Sequence, residues 1–222
     1  MKLIDSHCHL DFEQFSHDRE QVLLAARQQG VTDLVLPAVQ SRRWDNLINL
    51  CQSMSGLHYA LGLHPVFIDQ HQWRDIELLK DYLNQYQPCA VGEIGLDFFD
   101  RNLTIDKQME LFEAQLRVAL EFDLPVILHV RKAHEDVLKY LHKYPVQGGI
   151  VHAFNGSLQQ AQRYQKYGFK FGFGGMLTYK RSRRLRELAQ QLPLETIVLE
   201  TDSPDMTVCL LYTSPSPRDP TK

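Results

Sequence analysis

The sequence predicts an α/β fold in which eight parallel strands form a TIM (β/α)8 barrel. Eight short runs rich in Val, Ile, Leu and Phe alternate with longer segments whose apolar residues recur every three or four positions. An open doubly wound sheet is the competing interpretation of this alternation. That sheet would carry a G-x-G-x-x-G motif after its first strand, and this chain has none there. Eight β/α units are also the number that closes a barrel.

The strand candidates come in chain order and are separated by helix candidates. The eight predicted strands are residues 2–9, 33–39, 58–65, 89–97, 124–130, 148–154, 169–175 and 196–202. The seven predicted helices are residues 17–29, 42–54, 73–86, 105–122, 132–143, 157–167 and 181–191. The fourth helix has the most regular apolar spacing, and Thr104 is its predicted N-cap. Either Ser157 or Asn155 is expected to cap the sixth.

The last residues break this pattern. Residues 207–222 contain Pro215, Pro217 and Pro220 and show no helical periodicity. An eighth helix should follow the eighth strand, but these prolines oppose it. We therefore predict one barrel domain over residues 1–206, apparently lacking its C-terminal closing helix. Residues 207–222 are predicted to be a disordered or non-native tail.

Composition limits the classes of function. The chain has 222 residues, 44% of them hydrophobic, 23% charged, and a net charge of −3. Such a chain folds around a core and lacks the basic coat of a general nucleic-acid binder. Any contact with nucleic acid must come from a local patch, for which the basic run 180–186 is the candidate. Alternatively, these residues form an ordinary solvent-exposed helix face with no role in binding.

The compartment is predicted from the cysteines and from hydropathy. The four cysteines have no CxxC spacing, which is typical of reduced thiols. The N-terminus lacks the apolar core of a signal peptide, and no apolar run is long enough to span a membrane. We expect a cytoplasmic protein with no membrane association and no obligate protein partner.

Histidines and carboxylates gather where the predicted strands end. In a TIM barrel the carboxyl ends of the strands carry the active site. One histidine there would mean little, but several imidazoles and carboxylates at one end of a barrel predict a site for two divalent cations. The candidate metal ligands are His7, His9, Glu93, His129, His152 and Asp202. His64 and Arg131 also lie at strand ends and are the candidates for binding substrate phosphate.

The same segments carry a family resemblance. The motifs are DSHCHLDF (5–12), GLHP (62–65), VGEIGLDF (91–98), LHVRKAHED (128–136), VHAFNGS (151–157) and LETDSP (199–204). In order and spacing, residues 1–206 resemble the TatD family of metal-dependent deoxyribonucleases, which are amidohydrolase-like TIM barrels. The segment 90–98 contains no lysine, so a carboxylated lysine is not expected between the metals.

The resemblance implies a role for each candidate. His7, His9 and Asp202 correspond to ligands of a first metal, and His129 and His152 to ligands of a second. Glu93 corresponds to the carboxylate that bridges both metals. Glu93 and Asp202 are therefore the predicted catalytic residues, with Asp202 as a proton acceptor.

The resemblance also implies the reaction, a two-metal hydrolysis of phosphodiesters, most simply exonucleolytic cleavage of single-stranded DNA. Zinc, manganese, magnesium and cobalt all remain open as the metal. One alternative keeps the metals and changes the substrate to an ester or amide, such as an aminoacyl-tRNA linkage. Another is a barrel that binds metal without catalysis.

Overall fold

The computed structural model describes residues 2–100 and 102–209. In these residues eight parallel strands form one sheet, each hydrogen-bonded to the next in chain order. The strands are β1 (Leu3–Asp5), β2 (Val31–Pro37), β3 (Leu57–Leu61), β4 (Ala90–Asp97), β5 (Val126–Arg131), β6 (Gly149–Val151), β7 (Phe169–Phe173) and β8 (Ile197–Leu199). The predicted TIM-barrel fold is thus confirmed.

Backbone hydrogen bonds join the two ends of this sheet into a nearly closed barrel. The Ser6 N–H donates to the Leu199 carbonyl at 2.9 Å, and the Asp202 N–H donates to the His7 carbonyl at 2.8 Å. The Asp5 carboxylate strengthens this seam by accepting from the Thr201 hydroxyl at 2.6 Å and the Thr201 N–H at 3.0 Å. These bonds hold the end of β1 against the end of β8, next to the site residues His7 and Asp202.

A helix follows each of the first seven strands, close to the predicted positions. The helices are α1 (Arg19–Gln28), α2 (Trp44–Ser53), α3 (Arg74–Gln85), α4 (Ile105–Glu121), α5 (His134–Lys143), α6 (Leu158–Gln165) and α7 (Arg183–Gln191). Ser157 caps α6 through a capping box with Gln160, as one of the two sequence interpretations expected. Thr104 occupies the N-cap position of α4, but its side chain makes no capping hydrogen bond.

The hydrophobic core lies inside the barrel and between the strands and their helices. All eight residues of β4 are buried, including two carboxylates. The apolar faces of the helices close over the outside of the sheet, and Trp44 of α2 is fully buried there. Because both sides of the strands are covered, several polar residues at strand ends are buried, among them His7, Glu93 and His152.

Two buried glutamines attach α4 to the rim of the barrel. Gln108 accepts from the Asp97 N–H at 2.8 Å and donates to the Asp97 carbonyl at 3.0 Å. Gln115 makes the same pair of bonds with Leu63, at 2.7 and 3.2 Å. Each side-chain amide therefore satisfies the backbone N–H and C=O of one buried residue at the rim. Both attachments fix residues that neighbour the candidate site.

The substitution Gln115→Leu is expected to lower the free energy of unfolding by about 2–4 kcal/mol, because it leaves both polar groups of Leu63 buried without partners. Urea denaturation would measure the loss. Glu110→Gln, on the exposed side of the same helix, should change stability by less than about 0.5 kcal/mol. Equal stability of the two variants would contradict this role for Gln115.

No α-helix follows β8 within the described residues 200–209. Residues 207–209 pack against the segment that follows β7. Tyr179 donates its hydroxyl hydrogen to the Thr207 carbonyl at 2.7 Å, and the Cys209 N–H donates to the Thr178 hydroxyl at 2.8 Å. The rest of the predicted tail, 210–222, lies outside the described residues.

Candidate metal centre

A cavity of about 430 Å³ opens at the carboxyl end of the barrel. Seven of the eight predicted site residues line it, and the eighth, His7, lies fully buried beneath it. The lining residues among them are His9, His64, Glu93, His129, Arg131, His152 and Asp202. The strand ends have therefore brought the sequence candidates together around one space.

His7, His9, Glu93 and Asp202 form the first donor group. His7 and His9 both lie just after the end of β1, and their Nε2 atoms are 3.2 Å apart. Glu93 Oε2 is 3.2 and 3.7 Å from these nitrogens, and Asp202 Oδ1 is 3.5 and 3.6 Å from them. Both carboxylates therefore lie within 3.7 Å of the two histidine nitrogens, and His7, His9 and Asp202 together form one compact donor group.

The spacing of His7, His9 and Asp202 suits neighbouring ligands of one cation. Ligand distances of about 2.0–2.1 Å, as for zinc, place neighbouring donors of a tetrahedron about 3.3 Å apart. The five separations that involve His7 or His9 run from 3.2 to 3.7 Å. Imidazole with carboxylate also suits manganese and cobalt, so the residues fit a divalent metal without fixing its identity.

His64, Glu93 and His129 form the second group. Glu93 Oε1 lies 3.2 Å from His64 Nε2 and 3.2 Å from His129 Nδ1. Asp97 Oδ2 holds the other ring nitrogen of His129 at 3.0 Å. The two oxygens of Glu93 therefore face two different groups, which is the arrangement a bridging carboxylate requires.

A backbone bond determines how His64 presents its ring. The Val66 N–H donates to His64 Nδ1 at 3.1 Å, so Nδ1 must carry a lone pair. Nε2 then bears the proton and points it at Glu93 Oε1. In this form His64 is a hydrogen-bond donor toward the cavity, whereas a metal ligand would need a free lone pair at Nε2.

His152 lies nearer the first group than its predicted role implies. Its ring stacks on that of His7 with centroids 3.6 Å apart, and its Nε2 is 3.6 Å from Asp202 Oδ2. It shares a compact donor group with His7 and Glu93, whereas His129 groups with Glu93 and His64. Glu93 belongs to both of these donor groups.

Glu200 is a site residue that sequence reasoning did not assign. Its side chain is buried, with Oε1 3.1 Å from His152 Nδ1 and accepting from the Ala153 N–H at 2.7 Å. It lies against Gly172, where an added Cβ would be 1.9 Å from Glu200 Oε2. The glycine-rich segment after α6 therefore serves packing at this position. The signal in the sequence was a second acid two residues before Asp202.

Glu200→Gln is expected to weaken metal binding by about 10- to 100-fold, because the carboxylate orients His152 and raises its basicity. Titration with Mn²⁺ or Zn²⁺ by calorimetry would measure the change. Glu195→Gln, at an exposed position just before β8, is the control and should bind as the parent does. Unchanged affinity in Glu200→Gln would show that His152 holds its orientation without this partner.

Electrostatics keep the carboxylates ionised. Burial raises the pKa of Glu93, but His64 and His7 nearby and hydrogen bonds from His129 and His64 outweigh it, leaving that pKa well below its ordinary value. Burial likewise opposes ionisation of Asp202, yet the hydrogen bond from His152 lowers its pKa overall. The donor set therefore supplies two negative charges for a divalent cation.

The histidines differ in the direction in which their surroundings shift the pKa. Burial and the neighbouring His7 lower the pKa of His9 to about 3, so His9 is a neutral donor. Burial lowers the pKa of His129 and of His152, but partner carboxylates reverse the effect. Asp97 and Glu93 raise it for His129, and Glu200 and Asp202 raise it for His152. A cation at the site would have to displace those protons.

Arg131 is half-exposed at the end of β5 and lines the cavity rim. Its guanidinium lies 3.7 Å from the centre of the Phe99 ring, and Nη1 is 4.0 Å from Asp97 Oδ2.

In the basic run 180–186, Arg186 is structural, since it donates to the carbonyls of Leu177, Tyr179 and Lys180.

A (β/α)8 barrel with this histidine and carboxylate set at its carboxyl end defines a metal-dependent hydrolase. The family model described as TatD related DNase matches residues 4–219, and the chain belongs to the TatD family.

Two relatives in Escherichia coli K12 illustrate the range of the family. The chain is 40% identical over 208 residues to the uncharacterized metal-dependent hydrolase YjjV, covering 92% of this chain and 80% of that one. It is 31% identical over 219 residues to the 3′–5′ ssDNA/RNA exonuclease TatD, covering 97% and 84%.

The crystal structure of YjjV superposes with a TM-score of 0.90 at 39% identity, covering 96% of this chain and 84% of that one. An organophosphorus hydrolase from Deinococcus radiodurans, at 13% identity and a TM-score of 0.65, covers 90% and 75% and shares the fold. Within the described residues, no helix is long and apolar enough to cross a membrane.

Proposed function

We propose that this protein is a two-metal phosphodiesterase that removes nucleotides from the ends of single-stranded DNA. The observation that carries the proposal is the position of Glu93, whose two oxygens face two separate donor groups. Two divalent cations, when bound, supply an activated water and stabilise the charge that develops on phosphorus. The side chains of the barrel are proposed to bind the cations, bind the substrate and accept the proton.

His7, His9 and Asp202 are the proposed ligands of the first cation, and Glu93 is shared. His129 and His152 are the proposed ligands of the second. The proximity of His129 to Glu93 supports its assignment. His152 is near Glu93 within its donor group, and its ring is backed by Glu200. Asp97 performs the corresponding orienting role for His129.

His64 and Arg131 are the proposed substrate-binding residues. His64 Nε2 carries a proton and so has no lone pair for a metal; that proton, which points at Glu93 Oε1, would be available to a phosphoryl oxygen once Glu93 binds a cation. Arg131 offers a planar fork for a second phosphate oxygen at the rim. Asp202, ionised in this environment, is the proposed acceptor of the proton that the attacking water loses.

The substrate class is proposed from the family. One relative is named a 3′–5′ ssDNA/RNA exonuclease, which supports a nucleic-acid substrate and the same direction of cleavage here. The exposed Arg184 at the start of α7 offers positive charge for a polyanion despite the net charge of −3, whereas the neighbouring Arg183 is paired with Glu187.

The test uses two single-stranded oligonucleotides, one labelled at its 3′ end and one at its 5′ end, incubated with Mn²⁺ or Mg²⁺. We expect stepwise shortening that EDTA abolishes, with early loss of the 3′ label. Intact oligonucleotides beside bound metal would reject the nuclease. Release of amino acid from charged tRNA would then favour the deacylase, and no turnover of either substrate would favour a non-catalytic barrel.

A further inference from the structure

His134, the first residue of α5, is buried outside the candidate metal centre and has no role in the proposed reaction so far. Its Nδ1 lies 3.2 Å from the hydroxyl of Tyr164, a fully buried residue of α6. Its Nε2 lies 3.3 Å from Oδ1 of Asn155, which stands at the edge of the cavity. A buried relay thus joins the core between α5 and α6 to the site.

The direction of each hydrogen bond in this relay is fixed. The Ala153 carbonyl can only accept, so the Asn155 atom 3.3 Å from it is the amide nitrogen Nδ2. Oδ1 of Asn155 therefore faces His134, and because Oδ1 can only accept, His134 Nε2 carries a proton. Burial lowers the pKa of His134, so the ring is neutral and its Nδ1 accepts from the Tyr164 hydroxyl.

This arrangement leaves one hydrogen-bond donor for the cavity. Asn155 Nδ2 has two N–H groups, of which one is directed at the Ala153 carbonyl. The second has no partner among the residues that the structure describes. Asn155 is exposed, and it lines the same cavity as His129 and His152. A donor there is held by hydrogen bonds to His134 and Ala153 before any substrate arrives.

We propose that Asn155 is a substrate-contact residue that donates this N–H to a non-bridging phosphoryl oxygen, with His134 and Tyr164 as its positioning residues. The inference rests on the proposed phosphodiesterase function and adds a contact to it. The relay prevents the Asn155 side chain from flipping, because reversal would set Nδ2 against the His134 N–H. The cavity therefore always meets a donor at this position.

The main test compares Asn155→Ala with the parent enzyme, using bis(p-nitrophenyl) phosphate as substrate and inorganic phosphate as inhibitor. Losing a hydrogen bond to a charged oxygen is expected to raise KM and the inhibition constant of phosphate about 10- to 100-fold. The value of kcat should change less, since the bond forms in the bound substrate. Asn155→Asp, of nearly the same size but without the donor, should behave at least as poorly.

The relay has its own pair of variants. His134→Phe removes both hydrogen bonds and should raise KM toward that of Asn155→Ala. His134→Gln can accept from Tyr164 and donate to Asn155, so it should recover most of the loss. If the two variants lose the same thermal stability and share the parent KM, His134 is structural and the relay is rejected.

Failure of this inference is separable from failure of the proposed function. Parent turnover of the phosphodiester with an unchanged KM in Asn155→Ala would reject the Asn155 contact alone. Absence of parent turnover would reject the phosphodiesterase. Calorimetric titration of the Mn²⁺-loaded protein with phosphate still decides the contact in that case, because equal affinity in the parent and Asn155→Ala overturns it.

Discussion

Glu93→Gln is expected to reduce turnover at least about 1,000-fold and to lower the content of both metals together. Glutamine removes a negative charge and replaces one acceptor oxygen by an N–H donor at the centre of the site. Either orientation of the amide sets that donor against a nitrogen about 3.2 Å away, in one group or the other. Loss of several kcal/mol of charge stabilisation corresponds to this reduction in rate.

Two measurements check the result on the same samples. Elemental analysis gives the metal content of the purified variant, and oligonucleotide shortening gives its activity. Glu20→Gln, an exposed acid in α1, is the control and should match the parent in both. A Glu93→Gln protein that retains its metals and its activity would remove the bridging assignment.

The largest expected loss of stability is for Gly95→Ala, about 3–5 kcal/mol. Gly95 lies in β4 with φ of +145°, a conformation that L side chains rarely adopt. An added Cβ would lie 1.9 Å from the carbonyl oxygen of His129 and 2.9 Å from its carbonyl carbon. These atoms belong to the backbone of β5 and cannot turn aside as a side chain would, so the two strands must separate.

Gly168→Ala separates the two parts of this cost. Gly168 also has a positive φ, +79°, but an added Cβ there would meet nothing closer than 3.5 Å. It should cost only about 1 kcal/mol, the price of the conformation. Chemical denaturation of both variants would compare them, and similar losses would mean that β4 and β5 can move apart with little penalty.

Much of the architecture follows from local patterns. Alternation of apolar runs with helical periodicity predicted eight strands and seven helices in the observed order, because each element must bury one face against its neighbours. Placing polar residues at strand ends predicted the common location of the site residues, because parallel strands in a barrel end on one side. His9 and Asp202, far apart in sequence, lie there with His9 Nε2 3.6 Å from Asp202 Oδ1.

Other features depended on how distant segments pack. Glu200 lies against Gly172 and His152, and Gln115 holds Leu63 from 52 residues away. Nothing near Gln115 in the sequence distinguishes it from a surface amide, and the signal for Glu200 is only its place two residues before Asp202. His134 was likewise without an assigned role until its contacts with Tyr164 and Asn155 were known.

The barrel, the order of its elements and the residue types at the candidate site could all be predicted from the amino-acid sequence. These depend on periodicity and on residue type, which are local properties of the chain. Tertiary structure alone decided which nitrogen of His64 carries its proton and which oxygen of Glu93 faces which histidine. Such choices follow from hydrogen bonds that exist only after the strands and loops have packed, since each partner's position is set by a different part of the fold.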